Sequence, residues 1–134
     1  MNDQAYGIMD NSEVLRRQVH PDQFKDGKPT SVAFYPSEKD EHRLSTHRGT
    51  VPAIECYRRW TVDLERESVG TYGISVEQCL KQELEPVDDS AMVAPDHASV
   101  VFPDDWSRGT LTRCGRILRD AAVNRGVLHQ PPAP

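Results

Sequence analysis

The 134-residue chain has no run of about 18 apolar residues, so no membrane-spanning helix is expected. Its first twelve residues carry neither a basic start nor an apolar stretch, which argues against a secretory signal. Three cysteines, Cys56, Cys79 and Cys114, lie far apart, and no Cys-x-x-Cys pair exists. A disulfide framework and a zinc or redox motif are therefore not expected, and the thiols read as reduced groups in a cytoplasmic protein. The phosphate-cradling patterns Gly-x-Gly-x-x-Gly and Gly-x-x-x-x-Gly-Lys-Ser/Thr are missing, as is His-Glu-x-x-His. No Gly-x-Ser-x-Gly elbow presents a nucleophilic serine. No metal and no cofactor is expected. The net charge of −5 argues against direct binding of nucleic acid, which rests on neutralising phosphates.

Apolar residues are also sparse. They make up 37% of the chain, and aromatics 7%. Leu, Ile, Val and Phe sum to about a fifth of all residues, close to the composition at which a chain cannot bury enough surface to fold. One modest core is the expectation, with ten prolines and eight glycines breaking the connections. Residues 1–12 read as a flexible arm, residues 13–127 as one domain, and residues 128–134 as a Pro-rich tail.

What is present reads as a small α+β domain of about four short strands and two to three helices. Strands are expected at 14–19, 31–35 and 98–102, each stopped at or just before a proline, with a β-prone stretch at 71–74. The Val-Val-Phe run at 100–102 suggests burial on both strand faces. Asp26-Gly27 marks a turn. A helix is expected over 51–65, with Thr50 as N-cap, because Ile54, Tyr57, Thr61 and Leu64 recur at helical spacing. Ser75-x-x-Gln78 is a capping box opening a short helix. The clearest helix follows Thr110. Leu111, Cys114, Ile117, Leu118, Ala121 and Ala122 trace one stripe, and Gly126 ends it.

Two functional regions stand out. Three of the five histidines fall within residues 20–48. Histidine moves protons near neutral pH, serine needs such a base to become a nucleophile, and arginine grips anions. His20, Ser45, His47 and, from further along, His97 are the candidate catalytic residues, with Arg17 and Arg48 as candidate anion-binding residues. On a strand Ser45 and His47 share a face and Arg48 points to the other. The plainer reading makes this region a polar loop and has His97 bond a neighbouring backbone group.

The second region is a charge split. Residues 83–105 hold seven acids and no Lys or Arg, whereas residues 106–126 hold five arginines and one acid. The simplest expectation is that the acidic run lies over the basic helix. The alternative is a docking surface, with Asp88, Asp89, Arg113 and Arg116 as candidate partner-binding residues. From the sequence, the leading expectation is therefore an accessory or inhibitory subunit, antitoxin-like or immunity-like, that binds a protein partner through a charged surface. A small enzyme using the polar cleft on an anionic substrate is the alternative.

Overall fold

Strand alternation decides this architecture. In the computed structural model, which describes residues 5–132, Leu44 and Thr46 are buried while Arg43, Ser45 and His47 point the other way. The same two-sidedness runs through a six-stranded sheet in the order β1-β7-β8-β5-β2-β6, with every pair antiparallel. The strands are β1 (Tyr6–Gly7), β2 (Val14–Val19), β5 (Arg43–His47), β6 (Gly70–Ser75), β7 (Glu85–Asp88) and β8 (His97–Val101). Two further strands, β3 (Phe24–Lys25) and β4 (Lys28–Pro29), form a separate hairpin. Its turn is Asp26-Gly27, both at positive φ, as a tight hairpin turn requires.

The helices are α1 (Ala53–Arg58), α2 (Val76–Lys81) and α3 (Arg108–Arg125). One face of the sheet supplies Leu15, Leu44, Ile74 and Val100, and these join Phe34, Cys114, Leu118 and Ala122 in the core. The α3 stripe is narrower than the spacing predicts, because Ile117 is 43% exposed while Leu118 is fully covered. Gly115 interrupts the helix for a steric reason. A Cβ there would stand 2.5 Å from the Tyr35 ring and 2.8 Å from the Ser31 carbonyl. The segment before Pro36 crosses α3 at that point.

Several expectations are corrected. Residues 31–35 are not a strand. Ser31–Phe34 forms a 3₁₀ turn that buries Ala33 and Phe34. The helix expected over 51–65 stops being α-helical at Arg58 and continues as a π turn, Arg59–Asp63, with Pro52 in place of Thr50 at its start. Ser107, not Thr110, caps α3, its Oγ accepting from the Thr110 N–H.

Among the described residues the strands number eight rather than about four. β7 contains Pro86, which argues against a strand, yet the Pro86 carbonyl accepts from the Ile8 N–H. That bond belongs to the pairing of β1 with β7, so part of the expected arm joins the sheet; residues 1–4 lie outside the described residues. Part of the expected tail is tied down too. The Leu128 N–H bonds the Thr71 carbonyl at 2.8 Å, and the His129 ring sits 4.8 Å from that of Tyr57. Residues 133–134 lie outside the described residues. The capping box at Ser75 matches expectation; of the Val-Val-Phe run, Val100 and Phe102 are buried, Val101 is half-buried, and Phe102 lies just past the end of β8.

Candidate functional site

The face of the sheet turned away from α3 carries the polar chemistry. Register places it there. β5 and β8 pair Ser45 with Ser99 and His47 with His97, and directly opposed residues share a face. β7 pairs Val87 with Ser99 and Asp88 with Ala98. The next residue, Asp89, therefore falls beside His97 on the polar face, while Asp88 turns to the other.

Three of these groups form a chain. His97 Nδ1 lies 2.6 Å from Asp89 Oδ1, and His97 Nε2 lies 2.6 Å from Ser45 Oγ. An ionised carboxylate only accepts, so Nδ1–H donates to Asp89. When the ring carries only that proton, Nε2 is bare and accepts from the Ser45 hydroxyl. Ser99 Oγ donates to the second Asp89 oxygen at 2.6 Å, and an Arg43 guanidinium nitrogen stands 3.7 Å from it. Asp89 is 2% exposed and His97 9%, whereas Ser45 is exposed. The chain thus runs from a buried acid through a shielded imidazole to a solvent-facing hydroxyl.

Its surroundings are rich in paired charges. His47 lies on the same face as His97, with ring centroids 6.3 Å apart. Burial lowers the His47 pKa, and the neighbouring His97 and Arg59 push it the same way against Asp96. Arg59 bonds Asp96 at 3.0 Å and Glu55 at 3.0 Å. Asp96 sits at φ 62°, an uncommon backbone state for a non-glycine residue, directly before His97. Its carbonyl accepts from the Arg48 N–H. Arg43 flanks Ser45 on the same face with its side chain 45% exposed.

The other candidate residues are placed elsewhere. His20 caps a 3₁₀ turn by accepting from the Asp22 N–H at 3.0 Å, and its Nε2 lies 3.5 Å from Glu67. Arg48 points to the helix side, as strand alternation demands. There it bonds Glu13 at 2.6 and 2.9 Å and also Asp88. These partners hold the Glu13 carboxyl below its ordinary range, chiefly through the Arg48 hydrogen bond, and raise the Arg48 pKa. The turn after Arg48 lies so close to β2 that a Cβ on Gly49 would stand 2.5 Å from the Val14 carbonyl. Arg17 donates to the Ala33 carbonyl at 2.8 Å and the Ser45 carbonyl at 2.9 Å.

The acidic run does not cover the basic helix. Asp88, Asp89 and Asp96 pair with Arg48, Arg43 and Arg59, and no ion pair among the described residues joins 83–105 to 106–126. Asp88 and Asp89 are buried, at 6% and 2% exposure, with their oxygens committed. Arg113 and Arg116 are exposed and have no ion pair among the described residues.

Ser99, Arg43 and Arg59 were not singled out from the sequence, and Asp89 was nominated there only as a partner-binding residue. Asp89 reads there as one more surface acid, and only the β7–β8 register shows otherwise. Among the described residues no group of three His, Cys, Asp or Glu side chains is arranged to hold a metal ion. The three cysteines are free and buried, and burial pushes their thiols up to about 11 for Cys56, 12 for Cys79 and 11 for Cys114. No helix among them is long and apolar enough to cross a membrane. Comparison of the chain with protein-family models, with curated proteins and with solved structures finds no match.

Proposed function

We propose that the chain is a small serine-nucleophile hydrolase acting on an anionic ester. The observation that carries the reading is the continuous chain from Asp89 through His97 to Ser45, with only its serine end in solvent. In this reading Ser45 Oγ attacks the ester carbonyl and passes its proton to His97 Nε2. Asp89 fixes the tautomer and stabilises the imidazolium that forms. The proton then goes to the departing alkoxide as the carbonyl–oxygen bond breaks, leaving an acyl group on Ser45. Water attacks that acyl group, His97 takes the water's proton, and Ser45 leaves with it. Arg43 supplies the cation for an anionic group on the substrate, the role that Arg17 and Arg48 were expected to fill.

A fluorophosphonate probe tests this directly. Its phosphorus is attacked by an activated serine with loss of fluoride, leaving a stable adduct. Mass spectrometry should find the adduct on the peptide containing Ser45, and Ser45→Ala and His97→Ala should abolish it while the protein still melts cooperatively. A folded wild-type protein that stays unlabelled at about millimolar probe would overturn the reading.

A second reading, the protein-binding subunit, keeps one specific support. The outer face of α3 exposes Arg113, Arg116 and Ile117 together. In that reading this cationic face docks an acidic partner. A complex weakened by Arg113→Glu with Arg116→Glu, and by added salt, would favour it.

A further inference from the structure

A sizeable recess lies away from Ser45. It has a volume of about 960 Å³ and runs between residues 32–42 and the start of α3. Its walls are apolar and aromatic, formed by Val32, Tyr35, Trp106 and Leu111. Both rings are held in place. Tyr35 rests against the bare Cα of Gly115, and Trp106 meets the Phe102 ring edge-on with centroids 6.1 Å apart.

Arg17 forms part of the lining. Two main-chain carbonyls immobilise its guanidinium, Ala33 at Nε and Ser45 at Nη1. Both acceptors are neutral, and no carboxylate lies within ion-pair distance among the described residues. Its second terminal nitrogen makes no hydrogen bond among them. Desolvation pulls the Arg17 pKa down to about 10, which still leaves the group charged at neutral pH. Asp40 favours its charged form from beyond ion-pair distance, and a fixed, half-buried fork with one terminal nitrogen lacking a hydrogen bond among the described residues matches a carboxylate.

We propose that this groove is a binding site for a small monocarboxylate with a flat apolar body, anchored by Arg17 and enclosed by Tyr35 and Trp106. The volume is of the size usual for small-molecule sites, roughly 300–1,000 Å³. The rim decides the charge. Arg17, Lys39 and Arg108 are set against Glu38 and Asp40, which leaves one net positive charge in the lining when His42 is neutral. Asp40 already accepts from the Ser37 N–H and hydroxyl, and Glu38 lies 3.4 Å from Arg108. One net positive charge favours a monoanion over a phosphate dianion. The groove and Ser45 Oγ lie on opposite faces of the sheet, joined only by the bond from Arg17 to the Ser45 main-chain carbonyl, which Val32→Asp leaves untouched.

The test uses 1-naphthoate and the indole N–H resonances of isotope-labelled protein. The chain has two tryptophans, and Trp60→Phe assigns the Trp106 signal. Naphthoate should shift the Trp106 resonance saturably and leave that of Trp60 in place. The neutral alcohol 1-naphthalenemethanol and the dianion 1-naphthyl phosphate should each bind at least about tenfold more weakly, a difference of about 1.4 kcal/mol. Arg17→Gln should cost at least as much. Because Arg17 also braces two carbonyls, Val32→Asp is the companion variant; Val32 is 50% exposed, so this change adds a repelling carboxylate without opening the core. No saturable shift at millimolar naphthoate would overturn the proposal. So would equal binding of the alcohol, or unchanged binding by folded Val32→Asp. Labelling of Ser45 is read separately, so either result can fail without the other.

Discussion

The two faces of the one sheet are stabilised by different physics. On the α3 side, Leu15, Leu44, Ile74 and Val100 pack against Phe34 and Leu118. Burial there is additive, non-directional and tolerant of small shifts. On the other side, Asp89, His97, Ser99 and Ser45 are joined by hydrogen bonds of 2.6 Å. Those contacts are directional, and each buried member is costly if its partner is removed. One set of strands serves both, because alternate residues face opposite ways. A one-residue slip between β5 and β8 would exchange the two sets, so the core and the polar chain specify the same register.

The largest expected effect tests the apolar face. Leu118 is fully buried at the centre of α3, so Leu118→Ala should cost about 2–5 kcal/mol. The urea midpoint reads this, and an unchanged midpoint would mean that α3 is not what holds that face. Next comes the ionic cluster at the sheet's end. Arg48→Met leaves Glu13 and Asp88 facing each other, with their side chains each 8% exposed. About 3 kcal/mol is expected, since breaking a buried pair strands a charge. Both carboxyls have lowered pKa values, so the cluster's contribution is present above their ordinary range near 4 and is lost as the pH falls through the folded values. Wild type should lose stability below about pH 4 more steeply than Arg48→Met.

These two faces were not equally legible in the sequence. α3 is visible because its stripe repeats within a single element. β8 is visible because three β-prone apolar residues stand together. The polar chain joins Ser45 to a histidine 52 positions on and an acid that lies eight residues before that histidine. Ser45 and His97 can be nominated by residue type, but nothing local joins them, and Asp89 is indistinguishable in sequence from Asp104. Strand pairing supplies that information. β7 was hidden by Pro86, and the turn at 31–34 was hidden because Val, Ala and Phe suit a strand as well as a buried turn. His20 and Arg48 were plausible by type; His20 is placed elsewhere by its local bond to the Asp22 N–H, and Arg48 by strand alternation and its long-range pairs with Glu13 and Asp88.

The polar face yields a smaller stability effect and a sharper functional one. Ser45→Ala removes one hydrogen bond from an exposed hydroxyl, so about 1 kcal/mol or less is expected. His97→Ala takes the imidazole donor from Asp89, which keeps Ser99 and a distant Arg43. About 1–3 kcal/mol is expected there. Fluorophosphonate labelling should vanish in both variants despite their unequal stability. If labelling instead tracks stability, with Ser45→Ala still labelled, the chain is only a brace for residues 88–96.

The smallest effect belongs to His47, and its sign is opposite to that of a histidine gaining an acid partner. Burial, His97 and Arg59 all disfavour its charged form, and Asp96 opposes them only in part. Its folded pKa therefore lies below the ordinary value near 6.5. Between the two values the unfolded chain binds more protons than the folded one, so stability rises with pH across that interval. His47 thus contributes fully above about pH 6.5 and loses its contribution as the pH falls through the folded value. That window opens at about pH 6.5, above the ordinary carboxyl range near 4. The measurement is the urea midpoint between pH 7.5 and 5.5 for wild type and for His47→Gln, which keeps a polar side chain without the titration. Wild type should weaken more than the variant over that interval, by a fraction of the Leu118→Ala effect. Equal slopes would mean that His47 is as well solvated as in the unfolded chain. A wild type that grows stronger on acidification would mean that Asp96, rather than Arg59 and His97, dominates its surroundings.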